Sequence, residues 1–184
     1  MKSVILFRHG NASFDRMFLN DHERTLEKQG VKDAEKMGEC LFKKNEIPDL
    51  VISSTATRAK STAESAMKKG KWKCPITFND IIYSGSTNDL LILIKEQNDK
   101  YDSICMVGHE PKFSNFVDLS TNKEHTHFST ATIAKIDFNL SKWSLIEFGF
   151  GNLDWLISPK ELNLFPAVVF IKKRKRIKDR VKKE

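Results

Sequence analysis

Three short apolar runs recur along the chain, and each is followed at once by small polar or cationic residues. The runs cover residues 4–7, 50–52 and 104–107. Runs of this length that are rich in Val, Ile and Leu predict buried strands. Because helical patterns separate the runs, we expect an α/β fold. It would be a three-layer α/β/α sandwich around a mainly parallel sheet with an antiparallel edge.

The rest of the sequence predicts the other helices and strands of this fold. We expect strands over residues 3–7, 50–53, 75–79 and 103–108, and helices over about 25–44, 56–69, 87–98 and 111–120. Residues 8–24 form a polar loop that is too long to be a simple connection. Residues 131–138 and 143–149 alternate around a turn at 139–142, which predicts a hairpin at the sheet edge.

The strand ends carry the chemistry. Arg8, His9 and Gly10 follow the first strand, Arg58 follows the second, and His109 follows the strand that ends at residue 108. Ligands of open α/β sheets bind at the carboxyl ends of the strands. Guanidinium groups match phosphate oxygens, and a neutral imidazole can attack phosphorus. The pattern therefore predicts a phosphoryl-binding site.

Each of these residues also has a simpler explanation. His9 could pack at a strand end, and Arg58 could lie on a helix surface. His109 could cap the helix that begins near Pro111, while Gly10 could be an ordinary turn glycine. The recurrence of the arrangement at three strand ends favours a shared site.

Taken together, the motifs resemble those of the histidine phosphatase superfamily, also called the phosphoglycerate mutase-like proteins, and most of all its small SixA-type phosphohistidine phosphatases. The resemblance covers about residues 1–165. It is carried by residues 8–10, 21–26 with Gly30, 53–54 with 58–59 and 62–63, 108–111, and 128–131.

This resemblance implies a site. His9 would accept the phosphoryl group, while Arg8, Arg58 and His109 would bind its oxygens. We also expect Gly10, Asn11, Arg24 and Thr130 at the substrate-binding site. A side chain at Gly10 would block the phosphate, and a small hydroxyl or amide near Thr130 touches the phosphoryl group in this family.

The chain departs from much of the superfamily in one respect. Many members carry a glutamate as general acid after the third strand, whereas residues 81–87 contain no acid before Asp89. An alcohol leaves poorly without a proton donor, but the imidazole of phosphohistidine needs less help. Asp15 or Asp21 in the loop after His9 could donate a proton, with Asp15 the better candidate, or could serve loop structure alone. An Asp21–Arg24 pair would be either a brace for this loop or an exposed ion pair of little worth.

We therefore expect a phosphohistidine phosphatase that acts on a phosphotransfer protein through a phosphohistidine enzyme intermediate. One alternative is a phosphatase of a small phosphate ester or anhydride. A second is a non-catalytic phosphate-binding adaptor. No cofactor and no metal are expected, because His125 and His127 are not part of an HExxH pattern.

The charge is concentrated at one end. Residues 172–184 hold nine Lys or Arg and two acids, a formal charge of +7 that equals that of the whole chain. We expect one histidine phosphatase domain over residues 1–171 and a basic tail over 172–184. The tail would be a solvated helix end or would contact an acidic partner, a nucleic acid or anionic lipid. Three cysteines without metal spacing, no long apolar segment and no signal peptide predict a cytoplasmic protein with no membrane span.

Overall fold

The computed structural model describes residues 1–13 and 20–164. The strands are β1 (Lys2–Arg8), β2 (Leu50–Ser53), β3 (Ile76–Phe78), β4 (Ser103–Gly108), β5 (Ile133–Phe138) and β6 (Gly151–Ile157). The α-helices are α1 (Lys28–Lys44), α2 (Thr57–Gly70), α3 (Ile81–Ser84), α4 (Thr87–Lys95), α5 (Lys112–Thr121) and α6 (Pro159–Leu164). Two 3₁₀ turns cover Asp21–Glu23 and Trp143–Leu145.

All six strands join one sheet in the order β3-β2-β4-β1-β5-β6. Strands β3, β2, β4 and β1 run parallel, and β5 and β6 add an antiparallel edge. In the register of the central pairs, Arg8 lies opposite Gly108 and Ser53 lies opposite Val107. The expected mainly parallel sheet with an antiparallel edge is confirmed, and its parallel strands all end on the same side.

Helices cover both faces of the sheet, because β1 is buried on both sides. Val4 and Leu6 point into a core closed by α4 and α5, whereas Ile5 and Phe7 point into a second core beneath α1 and α2. This period-two division follows from strand geometry. It explains why the run is apolar throughout instead of alternating.

Small residues let α1 and α2 pack closely over the second core. A Cβ at Gly38 would collide with the backbone carbonyl of Ala66. Ala34 and Ala63 lie fully buried in the same core. The close approach of the two helices fixes α2, the helix that carries Arg58.

Two local predictions are wrong. The first long helix begins at Lys28 rather than at residue 25, because Leu26 instead forms an antiparallel bridge with Ala12 that closes the preceding loop. Residues 143–149 are not the second strand of a hairpin. Trp143 and Ile146 are both buried in the core, a placement that suits the 3₁₀ turn between them and not strand alternation. The antiparallel partner of β5 is β6, which begins at Gly151.

The sequence analysis also missed the short helix α3. No described helix, within residues 1–13 and 20–164, has the length and apolar character needed to cross a membrane. The division between residues 1–171 and the basic tail 172–184 stays a prediction, because residues 165–184 lie outside the described part of the chain.

We predict that Gly38→Ala lowers the free energy of unfolding by about 2 kcal/mol, because the added methyl group must push α1 away from α2. Intrinsic helix propensity alone would give the opposite sign. Urea denaturation checks the value, with Lys32→Ala at an exposed position of α1 as the control. A Gly38→Ala protein as stable as the wild type would show that the two helices can separate at no cost.

Candidate active site

The carboxyl ends of β1 and β4 bring two histidines together. His9 follows β1, His109 follows β4, and the backbone N–H of His9 donates to the carbonyl of Gly108 over 3.0 Å. Their ring centroids lie 5.1 Å apart with a 56° angle between the planes. The strand pairing itself therefore places both imidazoles at one point.

The hydrogen bonds of His9 define which of its nitrogens can react. Nδ1 lies 2.7 Å from the carbonyl oxygen of Gly10, which can only accept, so Nδ1 carries the proton of the neutral ring. Nε2 then carries the unprotonated lone pair, and it accepts a hydrogen bond from Nε of Arg58 over 3.3 Å. The arrangement leaves Nε2 as the nucleophilic atom.

Burial keeps His9 neutral. Desolvation, against the opposing hydrogen bond to Gly10 and helped by the positive charges of Arg58 and Arg8, lowers its pKa to about 4. The imidazole is consequently unprotonated at neutral pH, as a nucleophile must be.

His109 offers a donor into the same space. Its Nε2 lies 2.8 Å from Oγ of Ser54, and that oxygen already accepts the N–H of Ala56. The Ser54 hydroxyl can give its proton to Nε2, and in that tautomer the ring proton lies on Nδ1. Burial lowers the pKa of His109 to about 3, and the charge of His9 acts in the same direction.

Two buried donors at this site have no partner among the described residues. They are Nδ1 of His109 and Nε of Arg8, whose NH1 donates to the carbonyl of Phe128. A buried unpaired donor costs free energy. A bound oxyanion would satisfy both donors.

Arg58 reaches the site from the first turn of α2. Its side chain is 7% exposed, and the backbone N–H groups of a helix start already favour an anion. Arg8, His9, Arg58 and His109, predicted to share one site, are thus brought together by the structure.

Gly10 is constrained by packing. A Cβ there would lie 2.5 Å from the carbonyl oxygen of Gly30 on α1. Its own N–H donates to Oγ1 of Thr62 over 3.0 Å. The residue lets the strand end and the helix meet, and the expected role in phosphate access stays a prediction.

The other predicted binding residues lie around the site with different contacts. Asn11 donates from Nδ2 to Glu27 over 2.7 Å. Arg24 donates to the carbonyl of Ser13 and to the carboxylate of Asp21, so it braces the loop as one of the two expectations had it. Thr130 directly precedes the residue whose N–H donates to the carbonyl of His9, which places this turn beside the site.

Asp21 is more central than its sequence position indicated. Its carboxylate accepts hydrogen bonds from Arg24, from Arg58 and from the hydroxyl of Tyr83. These bonds, that of Arg24 first, hold the pKa of Asp21 well below its usual range against the desolvation that opposes them. An acid that stays ionised does not fit the expected role of proton donor. Asp15, the preferred candidate, lies outside the described residues.

Tyr83 is a site residue that the sequence analysis missed. Its ring meets those of His109 and His22 edge-on, at centroid distances of 5.3 and 4.8 Å. Tyr83 lies within residues 81–87, the segment that contains no acid. An aromatic residue this close to the predicted strand ends is the sequence feature that could have indicated a place in the site.

No group of three metal-ligating side chains lies together in residues 1–13 and 20–164. His125 is exposed on the loop after α5. The three cysteines are free, and Cys40 and Cys105 are buried, as expected for structural thiols.

The model of the histidine phosphatase superfamily (branch 1) matches residues 4–81, a stretch that contains His9 and Arg58. Over this stretch, which is less than half of the chain, the sequence is similar to the histidine phosphatase superfamily. The match leaves the substrate open.

Curated relatives share parts of the sequence without fixing a substrate. An uncharacterized chloroplastic protein of Arabidopsis thaliana is 33% identical over 117 residues, which are 59% of this chain and 54% of that protein. The chain thus spans about half of that relative's length. An uncharacterized protein of Mycobacterium leprae is 26% identical over 152 residues, 76% of this chain and 91% of that protein. A 2,3-bisphosphoglycerate-dependent phosphoglycerate mutase of Leifsonia xyli is 37% identical over 67 residues, 35% of this chain and 27% of that protein.

Solved structures share the fold of this chain. The protein histidine phosphatase SixA complexed with tungstate aligns with a TM-score of 0.76 at 21% identity, covering 87% of this chain and 99% of that one. A mycobacterial glucosyl-3-phosphoglycerate phosphatase aligns with a TM-score of 0.60 at 14% identity, covering 84% and 97%. These identities concern the fold alone, and the two proteins carry the names of different substrates.

We predict that the imidazoles of His9 and His109 titrate well below the ordinary histidine value of about 6.5, near pH 4 and pH 3. Long-range ¹H–¹⁵N NMR between pH 3 and 8 measures both. The unfolded chain gains these protons first, so folding stability should fall as pH drops below about 6.5. Titration of either ring near pH 6.5 would contradict the assigned neutral nucleophile.

Proposed function

We propose that this protein hydrolyses a phosphoryl group by way of a phosphohistidine on His9, and that its substrate is phosphohistidine on a protein. One observation carries the reaction. The unprotonated Nε2 of His9 faces Nε of Arg58 across 3.3 Å, in a buried space where Nδ1 of His109 and Nε of Arg8 have no partner among the described residues.

The chemistry follows from these four side chains. Nε2 of His9 attacks phosphorus as the bond to the leaving group breaks, and the leaving group departs with that electron pair. Arg8, Arg58 and His109 donate hydrogen bonds to the phosphoryl oxygens and stabilise the charge that shifts in the transition state. Water then attacks the same phosphorus, which releases inorganic phosphate and restores the neutral imidazole.

The state of nearby carboxyl groups supports an N–P substrate. Asp21 is held ionised by its three donors. Hydrogen bonds from Thr55 and Ser84 lower the pKa of Asp80, and the backbone N–H and hydroxyl of Ser86 lower that of Asp89. None of these three is suited to protonate an alkoxide, so a leaving group that needs little protonation is favoured. The role of Asp15 as a proton donor stays a prediction.

The surroundings of the site suit a protein substrate. Residues 71–102, all described, contain only β3, α3 and α4 and no inserted domain above the strand ends. A phosphohistidine side chain that projects from a partner could therefore approach His9. The SixA structure with the same fold bears the name of a protein histidine phosphatase.

We predict that His9→Asn lowers kcat toward an activated aryl phosphate at least about 1000-fold, because the attacking nitrogen is lost. His125→Asn, the same change at an exposed position, is the control and should keep full activity. Release of the aryl alcohol is followed by absorbance. Full activity of His9→Asn would refute the mechanism, and an inactive wild type would favour a phosphate-binding adaptor.

We predict a kcat/KM for a phosphohistidine peptide at least about 100-fold above that for the same peptide with phosphoserine, since the imidazole leaves without a strong proton donor. Phosphate release from both peptides at neutral pH measures the ratio. A preference for phosphoserine would show instead that an acid assists the leaving group, and would favour the alternative of a small phosphate ester.

A further inference from the structure

Three donors from separate parts of the chain converge on the carboxylate of Asp21. NH1 of Arg24 lies 2.8 Å from Oδ1, and both NH2 of Arg58 and the hydroxyl of Tyr83 bind Oδ2, at 2.9 and 3.0 Å. The carboxylate lies at the rim of the site, and its side chain is 52% exposed. Such a concentration of donors on one exposed acid calls for a role beyond a surface ion pair.

Asp21 takes up both terminal nitrogens of Arg58. Its backbone carbonyl accepts NH1 over 2.6 Å, while its carboxylate accepts NH2. With the two terminal nitrogens held in this way, Nε of the guanidinium donates to Nε2 of His9. The planar fork of an arginine has one orientation once two of its nitrogens are fixed. Asp21 thus determines which edge of Arg58 faces the reacting phosphorus.

Tyr83 in turn fixes Asp21. Its ring rests edge-on against His109 at 5.3 Å, its phenol donates to Asp21, and its backbone carbonyl accepts Nζ of Lys112 over 2.7 Å. The guanidinium carbon of Arg58 also lies 5.9 Å from the ring centre. Tyr83 therefore links the histidine side of the site to the arginine side.

We infer that Asp21 and Tyr83 are positioning residues, which hold Arg58 so that its Nε points to the phosphoryl group on His9, and that neither gives a proton to the leaving group. This inference rests on the proposed function. It assigns to Asp21 an electrostatic and geometric role where the sequence had left open a proton donor or a loop brace.

Substitutions that remove single interactions test it. Asp21→Asn removes the charge, and Tyr83→Phe removes one hydroxyl. Asp33→Asn on α1 and Tyr101→Phe before β4 make the same chemical changes away from the site. Both controls should match the wild type in every measurement.

Tetrahedral oxyanion binding gives the sharpest contrast. Asp21 is negative, so simple repulsion predicts that Asp21→Asn binds tungstate more tightly. Loss of positioning predicts about tenfold weaker binding for Asp21→Asn, and a smaller loss in the same direction for Tyr83→Phe. Isothermal titration calorimetry decides the sign. Unchanged or tighter binding in both variants would overturn the inference.

Leaving-group dependence separates positioning from proton donation. Across aryl phosphates of increasing leaving-group pKa, kcat/KM of Asp21→Asn should fall by one constant factor of about ten relative to wild type. A deficit that grows with leaving-group pKa would make Asp21 an acid and overturn the inference.

NMR of the Arg58 side chain excludes a purely structural effect. The Nε–H resonance of Arg58 should be sharp in the wild type and should broaden or shift in both variants, at an unchanged melting temperature. A lower melting temperature with an unaltered Arg58 signal would contradict positioning. If the wild type hydrolysed no phosphate, the proposed function would fail, while tungstate binding and the Arg58 signal would still decide this inference.

Discussion

The parallel pairing of β1 with β4 determines where everything else at the site must lie. Arg8 stands opposite Gly108, so the next residue of each strand, His9 and His109, leaves the sheet at the same level. The backbone bond from His9 to Gly108 extends this pairing by one step. Two imidazoles in contact would repel each other if both were protonated, and burial of the strand ends keeps them neutral.

The site accumulates positive charge that only partly finds a counterion in the protein. Arg58 is buried and is balanced by Asp21 at the rim. Arg8 keeps a buried Nε without a partner in the described part of the chain, and His109 keeps Nδ1. A dianionic phosphoryl group would supply the missing acceptors and charge. The donors that have no partner in the described part of the chain therefore favour a tetrahedral anion.

Much of this arrangement could be predicted, because strand periodicity and the direction of parallel strands are local properties of the sequence. Arg8, His9, Arg58 and His109 each follow a strand closely, so their meeting required only the topology. The hydrogen bonds from Arg58 and Tyr83 to Asp21 could not be predicted in this way. Asp21 lies in a loop and reaches α2 only after folding. The false hairpin arose because the apolar residues of 143–149 can serve a core-facing turn as well as a strand.

The central claim is a covalent phosphoryl group on one nitrogen, and it can be measured directly. The enzyme is mixed with ³²P-labelled phosphohistidine peptide and quenched in base within milliseconds. Mass spectrometry of neutral-pH digests then locates the label. The account predicts a base-stable, acid-labile phosphate on Nε2 of His9. An acid-stable label, a label on any other residue, or turnover with no labelled enzyme at any time would contradict it.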